Sequence, residues 1–240
     1  MRIDGAVAFV SGANRGLGLA LARELLARGA RKVYAGVRSP ESAGDPVPGL
    51  VPVRLDVTDP ASVAAAAAQC GDVNLLVNNA GIARVLEGTL DPAWIRTARE
   101  ILETNFYGIV LATQAFAPVV EANGGGAILN VLSEVTWHSP PPVSAYAASK
   151  SAAWSFTNAS RTDLRPRGIQ VLALHVGFMD TDMTRGYEMK KSSPREVAAR
   201  ALDALERGKE EVIADEQTQS IKAALGSEGA QYLAAQAAQP

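Results

Sequence analysis

Cysteine is almost missing from this chain: Cys70 is the only one in 240 residues. No disulfide can form within the chain and no cluster of thiolates can hold a metal, so Cys70 is expected to be a buried, inert thiol. Histidine is nearly as scarce. His138 and His175 are the only two, neither has a triad's companions, and both read as packing or pocket polarity. An excess of one charge is lacking too. The formal net charge of −2 gives no general attraction to nucleic acid or to an anionic membrane surface. Near the start, the apolar run Ala6 to Val10 is only five residues long, too short for a secretory segment or a bilayer span. These absences point to a cytoplasmic protein with no nucleic-acid or membrane partner. No repeat at solenoid spacing and no disordered linker is visible, and the Pro- and Gly-rich segment from Ser39 to Gly49 reads as a surface loop.

What is present is enough apolar sequence for a full core, with 48% hydrophobic and 20% charged residues, and a strand-helix alternation from end to end. Short apolar runs predict strands at Ala6–Val10, Lys32–Val37, Val51–Leu55, Val73–Val77, Ala127–Leu132, Ile169–Leu174 and Glu211–Ala214. Helical spacing runs from Leu17 to Arg28, stopping at Gly29. Asp59-Pro60 caps and opens an alanine-rich helix that stops at Gly71. Further helices are predicted from Pro92 to Val120 and from Tyr146 to Asp163. Ser193-Pro-Arg-Glu196 looks like a capping box that opens a last helix, ending at Gly208. The expected fold class is one α/β domain over residues 1–240, a doubly wound parallel sheet of about seven strands with helices on both faces.

Ligands of such sheets bind beyond the C-terminal strand ends. The candidate residues converge there. Ser11-Gly-Ala-Asn-Arg-Gly-Leu-Gly18 places Gly12, Gly16 and Gly18, with Asn14, Arg15 and Leu17, between a strand and a helix, where backbone amides and a positive helix end suit a pyrophosphate. Asp56, the Asn78 turn, Ser133 and Gly177 fall at the same edge. Tyr146 and Lys150 stand four residues apart on one helix face, where the ammonium is expected to favour phenolate and lower the tyrosine pKa. Tyr187 and Lys191 repeat that spacing in a polar loop, so spacing alone does not choose between the pairs.

Together these motifs resemble the short-chain dehydrogenase/reductases, in the branch with a Gly-x-x-x-Gly-x-Gly turn and a Tyr-x-x-x-Lys pair, over nearly the whole chain. The resemblance implies a Rossmann-like fold and an NADP(H)-dependent carbonyl or alcohol oxidoreductase, a ketone or aldehyde reductase. By this likeness Asn105, Ser133, Tyr146 and Lys150 are catalytic, with Tyr146 passing the proton and Asn105 holding a water in a relay. Asp56 and Val57 match the positions that meet adenine. In Asn78-Asn-Ala-Gly81, residues Asn79, Ala80 and Gly81 lie beside the cofactor; Gly177 and Thr181 match the nicotinamide loop, and Tyr146 and Lys150 also contact the cofactor. A homodimer or homotetramer is implied as well, consistent with the small-residue face Ala147, Ala148, Ser151 and Ala152. No metal site is expected.

Two departures stand out. Val176-Gly177 replaces the family's Pro-Gly, so a fixed φ angle is lost, and Glu134 follows Ser133 where a small residue is usual. Glu134 reads either as a solvated side chain or as an acidic wall of the substrate pocket. Trp137, Trp154, Phe178, Met183, Tyr187 and Met189 read either as pocket lining or as core and lid. The lid spans about 177–193 and is short, which suits small or medium apolar carbonyl compounds. The second strand ends at Arg38, with no acid in Tyr34-Ala-Gly-Val-Arg38, so with Arg15 nearby NADP is expected over NAD. A non-catalytic NADP-binding sensor or scaffold and a sugar-nucleotide epimerase or dehydratase are the competing readings. The complete Asn, Ser, Tyr and Lys set argues against the first, and the short stretch after the last strand against the second.

Overall fold

A computed structural model describes residues 1–40 and 47–233. Part of the Ser39–Gly49 segment, residues 41–46, lies outside the described residues. Seven strands form one sheet: β1 (Val7–Ser11), β2 (Lys32–Val37), β3 (Leu50–Arg54), β4 (Leu75–Asn78), β5 (Gly126–Val131), β6 (Ile169–His175) and β7 (Glu211–Ile213). Their order is β3-β2-β1-β4-β5-β6-β7 and every neighbouring pair is parallel. Among the described residues seven α-helices cover the faces: α1 (Gly16–Ala27), α2 (Pro60–Gln69), α3 (Trp94–Leu102), α4 (Gly108–Ala122), α5 (Ser144–Leu164), α6 (Pro194–Glu206) and α7 (Glu216–Ala223).

Strand side chains alternate between two apolar layers. Ala8, Val10, Leu75, Val77, Leu129, Leu172 and Leu174 pack on one side with Leu21 and Leu25 of α1 and Leu202 and Leu205 of α6. On the other side, Val7, Phe9, Leu76, Ile128 and Val171 pack with Val63 of α2 and with Phe116 and Val120 of α4. Because both faces are covered, the strands read as apolar runs rather than as alternating patterns. One polar network is embedded between the layers. Asn78 Nδ2 donates to Asn130 Oδ1 at 2.8 Å and to Thr113 Oγ1 at 3.3 Å, and Asn130 Nδ2 donates to Thr157 Oγ1 at 2.9 Å. These bonds tie β4 and β5 to α4 and α5, and being satisfied they avoid the desolvation penalty of buried amides.

Two sequence expectations change. The helix expected from Pro92 to Val120 is interrupted at Glu103–Tyr107 by a wide π turn, in which the Gly108 N–H reaches back five residues to the Glu103 carbonyl. The cause is tertiary: Asn105, inside the turn, is drawn onto the backbone of Ile82 by two hydrogen bonds of 2.8 and 2.9 Å. At α6, Ser193 is extended and Pro194 takes the first helical position as expected, but the serine side chain makes no capping bond. Asp59 does cap α2, accepting from Ala61 N at 2.9 Å.

Phe116 is fully buried and its ring centroid lies 4.6 Å from that of Phe9 on β1. Phe116→Ala is expected to destabilise the fold by ~3–5 kcal/mol through lost burial and the cavity left behind. Urea unfolding measures this, and a midpoint equal to that of the wild type contradicts the layer assignment.

Candidate active site

The strand order reverses between β1 and β4, which leaves a crevice beyond their C-terminal ends. β1 runs into Gly12, whose φ is +67°, and Gly16 opens α1 at +55°. A Cβ on Gly18 would lie 2.3 Å from the Gly12 carbonyl oxygen and 2.5 Å from Asn79 Nδ2, so only glycine lets the helix come this close to the turn. Across the crevice, Asn79 Nδ2 donates to the carbonyls of Ser11 and Gly12 at 2.9 and 3.2 Å, while Ser11 Oγ accepts the N–H groups of Asn79 and Ala80, each at 3.0 Å. Leu17 packs into the core below. No side chain caps the first amides of α1, so its positive end faces the crevice ready for an anion. A dinucleotide pyrophosphate fits that donor set.

Asp56, Val57 and Arg38 lie at the ends of β3 and β2. Asp56 Oδ1 accepts from Thr58 Oγ1 at 2.7 Å and from Thr58 N at 2.9 Å. These bonds, with a smaller contribution from the nearby Arg38 charge, hold its carboxyl below the usual carboxylate range. Arg38 is exposed at the crevice edge. Val57 is buried against the start of α4, its Cβ 3.0 Å from where a Cβ on Gly108 would sit.

β5 delivers Ser133, which is 7% exposed and whose Oγ accepts weakly from Val135 N at 3.4 Å. Tyr146 and Lys150 lie on α5. Burial pushes the Tyr146 phenol up to about 12 against a smaller opposing effect of its hydrogen bond with the Ser133 side chain. This reverses the direction expected from the Lys150 charge. The reason is geometric: Lys150 Nζ donates to the Val131 carbonyl at 2.8 Å and stands 5.6 Å from the Tyr146 ring centre. Lys150 is itself buried, which brings its ammonium down to about 8. Asn105 joins the group as a brace. Its Nδ2 donates to Ser149 Oγ at 3.0 Å, and Ser149 Oγ donates to the Tyr146 carbonyl at 2.7 Å. With Oδ1 and Nδ2 also bound to Ile82, both amide hydrogens of Asn105 are spent on protein atoms.

Beyond β6, Gly177 and Thr181 open the segment expected to form the lid. Thr181 Cγ2 lies 3.4 Å from where a Cβ on Gly16 would sit, so the lid starts against the glycine turn. A cavity of about 350 Å³ opens beside this contact, lined by Gly16 and Thr181 and by Asp180, Asp182, Arg185 and Lys191. Arg15 lies in the turn, and its Nη1 pairs with Asp182 Oδ2 at 2.8 Å. Asn14 lies in the same turn and is exposed. Tyr187 and Lys191 sit in irregular backbone outside any helix, and the Tyr187 ring meets Phe178 at 5.5 Å.

The apolar candidates divide. Trp154 packs beside Leu132 and Ala173 in the core, whereas Met183, Tyr187 and Met189 are exposed on the lid. Trp137 stacks on His175 at 4.1 Å. His175 is buried and held down to about 4 by that burial, with Nδ1 3.2 Å from the Ser133 carbonyl. His138 is buried and also shifted down. Both histidines are therefore neutral packing groups near pH 7. Glu134 is 3% exposed, which overturns the solvated reading: the side chain turns inward toward Gly177 and Thr218 rather than out to water. Sequence reasoning missed Asp215, which caps α7 by accepting from Thr218 N at 2.9 Å. The Asp215-x-x-Thr218 spacing was the available signal.

Among the described residues no group of His, Cys, Asp and Glu is placed to hold a metal, and no helix is long and apolar enough to cross a membrane. The family model for short chain dehydrogenase matches residues 6–192. A galactitol 2-dehydrogenase (L-tagatose-forming) from Cereibacter sphaeroides is 36% identical over 194 residues, covering 76% of this chain and 75% of that protein. A 3-alpha-(or 20-beta)-hydroxysteroid dehydrogenase from Mycobacterium bovis is 33% identical over 190 residues, covering 76% and 72%. A crystal structure of a short chain dehydrogenase from Burkholderia cenocepacia in complex with NADP superposes with a TM-score of 0.90 at 40% identity, covering 95% of each chain. A nucleotide cradle at the strand reversal and a Ser-Tyr-Lys group at the end of β5 thus coincide with a match across most of the chain, which belongs to the short-chain dehydrogenase/reductase family of oxidoreductases that bind a nicotinamide cofactor.

Proposed function

We propose that this protein is an NADP(H)-dependent reductase of ketones or aldehydes, working on small or medium carbonyl compounds and running in reverse on secondary alcohols. The observation that carries the reading is the convergence of Ser133 and Tyr146: the phenol hydrogen-bonds with the Ser133 side chain on the turn of α5 that Ser149 and Asn105 hold, so a carbonyl oxygen set between them meets two hydroxyl donors. A reduced nicotinamide, when bound, supplies the hydride to the carbonyl carbon. Tyr146 Oη donates the proton to the carbonyl oxygen, and Ser133 Oγ donates a hydrogen bond to that oxygen as charge develops on it. Lys150, anchored on the Val131 carbonyl, holds the nicotinamide ribose, and Asn105 steadies the turn of α5 that presents Tyr146. Both relatives carry the names of dehydrogenases, one for galactitol and one for hydroxysteroids, which supports a hydroxyl-bearing carbon as the reacting centre.

The preference for NADP rests on Arg38. It stands at the end of β2 with no acid in that strand, and the superposed Burkholderia protein holds NADP. Arg15 is engaged by Asp182 and contributes only once the lid lets it go. One charge-assisted bond from a guanidinium to phosphate is worth ~1.5–3 kcal/mol, or roughly ten- to a hundredfold in discrimination.

Self-association is part of the proposal. The small-residue face is partly used within the chain, since Ala147 is buried and Ser151 Oγ donates to the Thr136 carbonyl at 2.8 Å. Apolar surface nearby remains free, with Ile95 59% and Tyr107 48% exposed. Light scattering at micromolar concentration is expected to give a dimer or tetramer; a monomer mass contradicts this.

Two kinetic experiments test the chemistry. Tyr146→Phe is expected to bind NADPH nearly as the wild type does and to lose about a thousandfold in turnover of any carbonyl found by screening, in the range typical of a lost general acid. Tyr187→Phe is expected to keep most activity, and equal losses from the two changes refute the assignment. Arg38→Asp is expected to lower kcat/KM for NADPH by roughly ten- to a hundredfold with little loss for NADH. A wild-type enzyme with the better kcat/KM for NADH refutes the cofactor preference.

A further inference from the structure

Where the family carries proline, this chain has Val176, so no ring fixes the backbone ahead of Gly177. Two carboxyl groups grip that loop instead. Asp215 Oδ2 accepts the Gly177 N–H at 2.8 Å and the Thr218 hydroxyl at 2.8 Å. Glu134 joins them through its backbone as well, its own N–H donating to the Val176 carbonyl at 3.2 Å. Glu134 Oε2 lies 2.9 Å from where a Cβ on Gly177 would sit, and Thr218 Oγ1 lies 3.3 Å from the same point. Gly177 therefore leaves the room that the Glu134 carboxyl fills. Oε2 is enclosed without a hydrogen bond of good geometry, the Thr218 hydroxyl being the polar group that approaches the carboxyl, and among the described residues neither Glu134 nor Asp215 has a basic side chain within ion-pair distance.

We propose that Glu134 is a positioning residue for hydride transfer: its buried carboxyl, packed on Gly177 beside the Asp215–Thr218 cap, fixes the loop that opens the lid against the loop that carries Ser133. The proposal rests on the oxidoreductase reading above. An unpaired carboxylate in this place is costly, whereas the acid form is neutral and carries an O–H to donate toward the cap. Burial, reinforced by the charge of Asp215 and only partly opposed by a hydrogen bond with Thr218, raises the Glu134 carboxyl to about 7. The titratable groups that face it are Asp215 at the start of α7 and Tyr146 on α5, whose phenolate the Glu134 charge disfavours. His175 on β6 meets the Ser133 carbonyl instead.

The sign of the pH effect follows. A carboxyl whose pKa is higher in the folded chain binds its proton more tightly there, so its stabilising effect is complete below the ordinary value of 4.5 and is lost as pH rises through about 7. Glutamine keeps the shape and removes the titration. The test measures melting temperature and NADPH affinity, by fluorescence titration, for wild type, Glu134→Gln and Glu134→Ala across about pH 5 to 8.5. The melting temperature of Glu134→Gln is expected to gain on that of the wild type as pH climbs toward 7 and then to hold its lead. Wild-type NADPH affinity is expected to fall several-fold over the same range while that of Glu134→Gln stays level. Glu134→Ala is expected to bind NADPH about tenfold more weakly than Glu134→Gln at every pH. Parallel pH profiles for wild type and Glu134→Gln, or wild-type affinity in Glu134→Ala, overturn the proposal. None of these readings needs a substrate, so failure to reduce any carbonyl compound counts against the proposed function and leaves this test standing.

Discussion

A parallel sheet covered by helices on both faces has no place for polar chemistry except beyond its strand ends. In this chain the central strands β1, β4 and β5 are buried almost completely, and the amides that do enter the interior, Asn78 and Asn130, are absorbed by each other and by Thr113 and Thr157. Everything able to bind or donate is thereby collected along one edge. The glycine turn, the Asn79–Gly81 turn, Ser133 and Gly177 are neighbours because their strands are neighbours. Their spacing is set by the sheet's hydrogen bonds, so the site inherits the rigidity of the core.

Burial also governs the charges there. Tyr146, Lys150 and His175 are each moved toward the neutral form, to about 12, 8 and 4 respectively. Desolvation outweighs the pair interaction that four-residue spacing suggested, because Lys150 spends its ammonium on a backbone carbonyl rather than on the phenol. Proximity on a helix face brings two groups near each other. The partner each one chooses is settled by what lies across from it.

That distinction separates what was legible in the sequence from what was not. Strand runs, the glycine spacing, the Asp59 cap and the Tyr146–Lys150 pair are local patterns, and each element lies within a few residues of its expected place. The interruption at Asn105 was invisible, because its cause is Ile82, 23 residues away. For Glu134 the sequence leaves both a solvated side chain and a pocket wall open, since nothing near it in sequence announces burial; the space it fills is left by Gly177, beyond β6. The pairing of Arg15 with Asp182 was equally invisible, because that partner lies 167 residues on.

The single cysteine has a consequence of its own. Cys70 closes α2 with its side chain fully inside the second apolar layer, and burial raises its thiol to about 12. A thiol in that state offers an electrophile neither access nor thiolate. Alkylation therefore waits until α2 lifts away from the sheet. Because no other sulfhydryl in the 240 residues competes, the rate at which this chain takes up a thiol reagent is a clock for the opening of that half of its core.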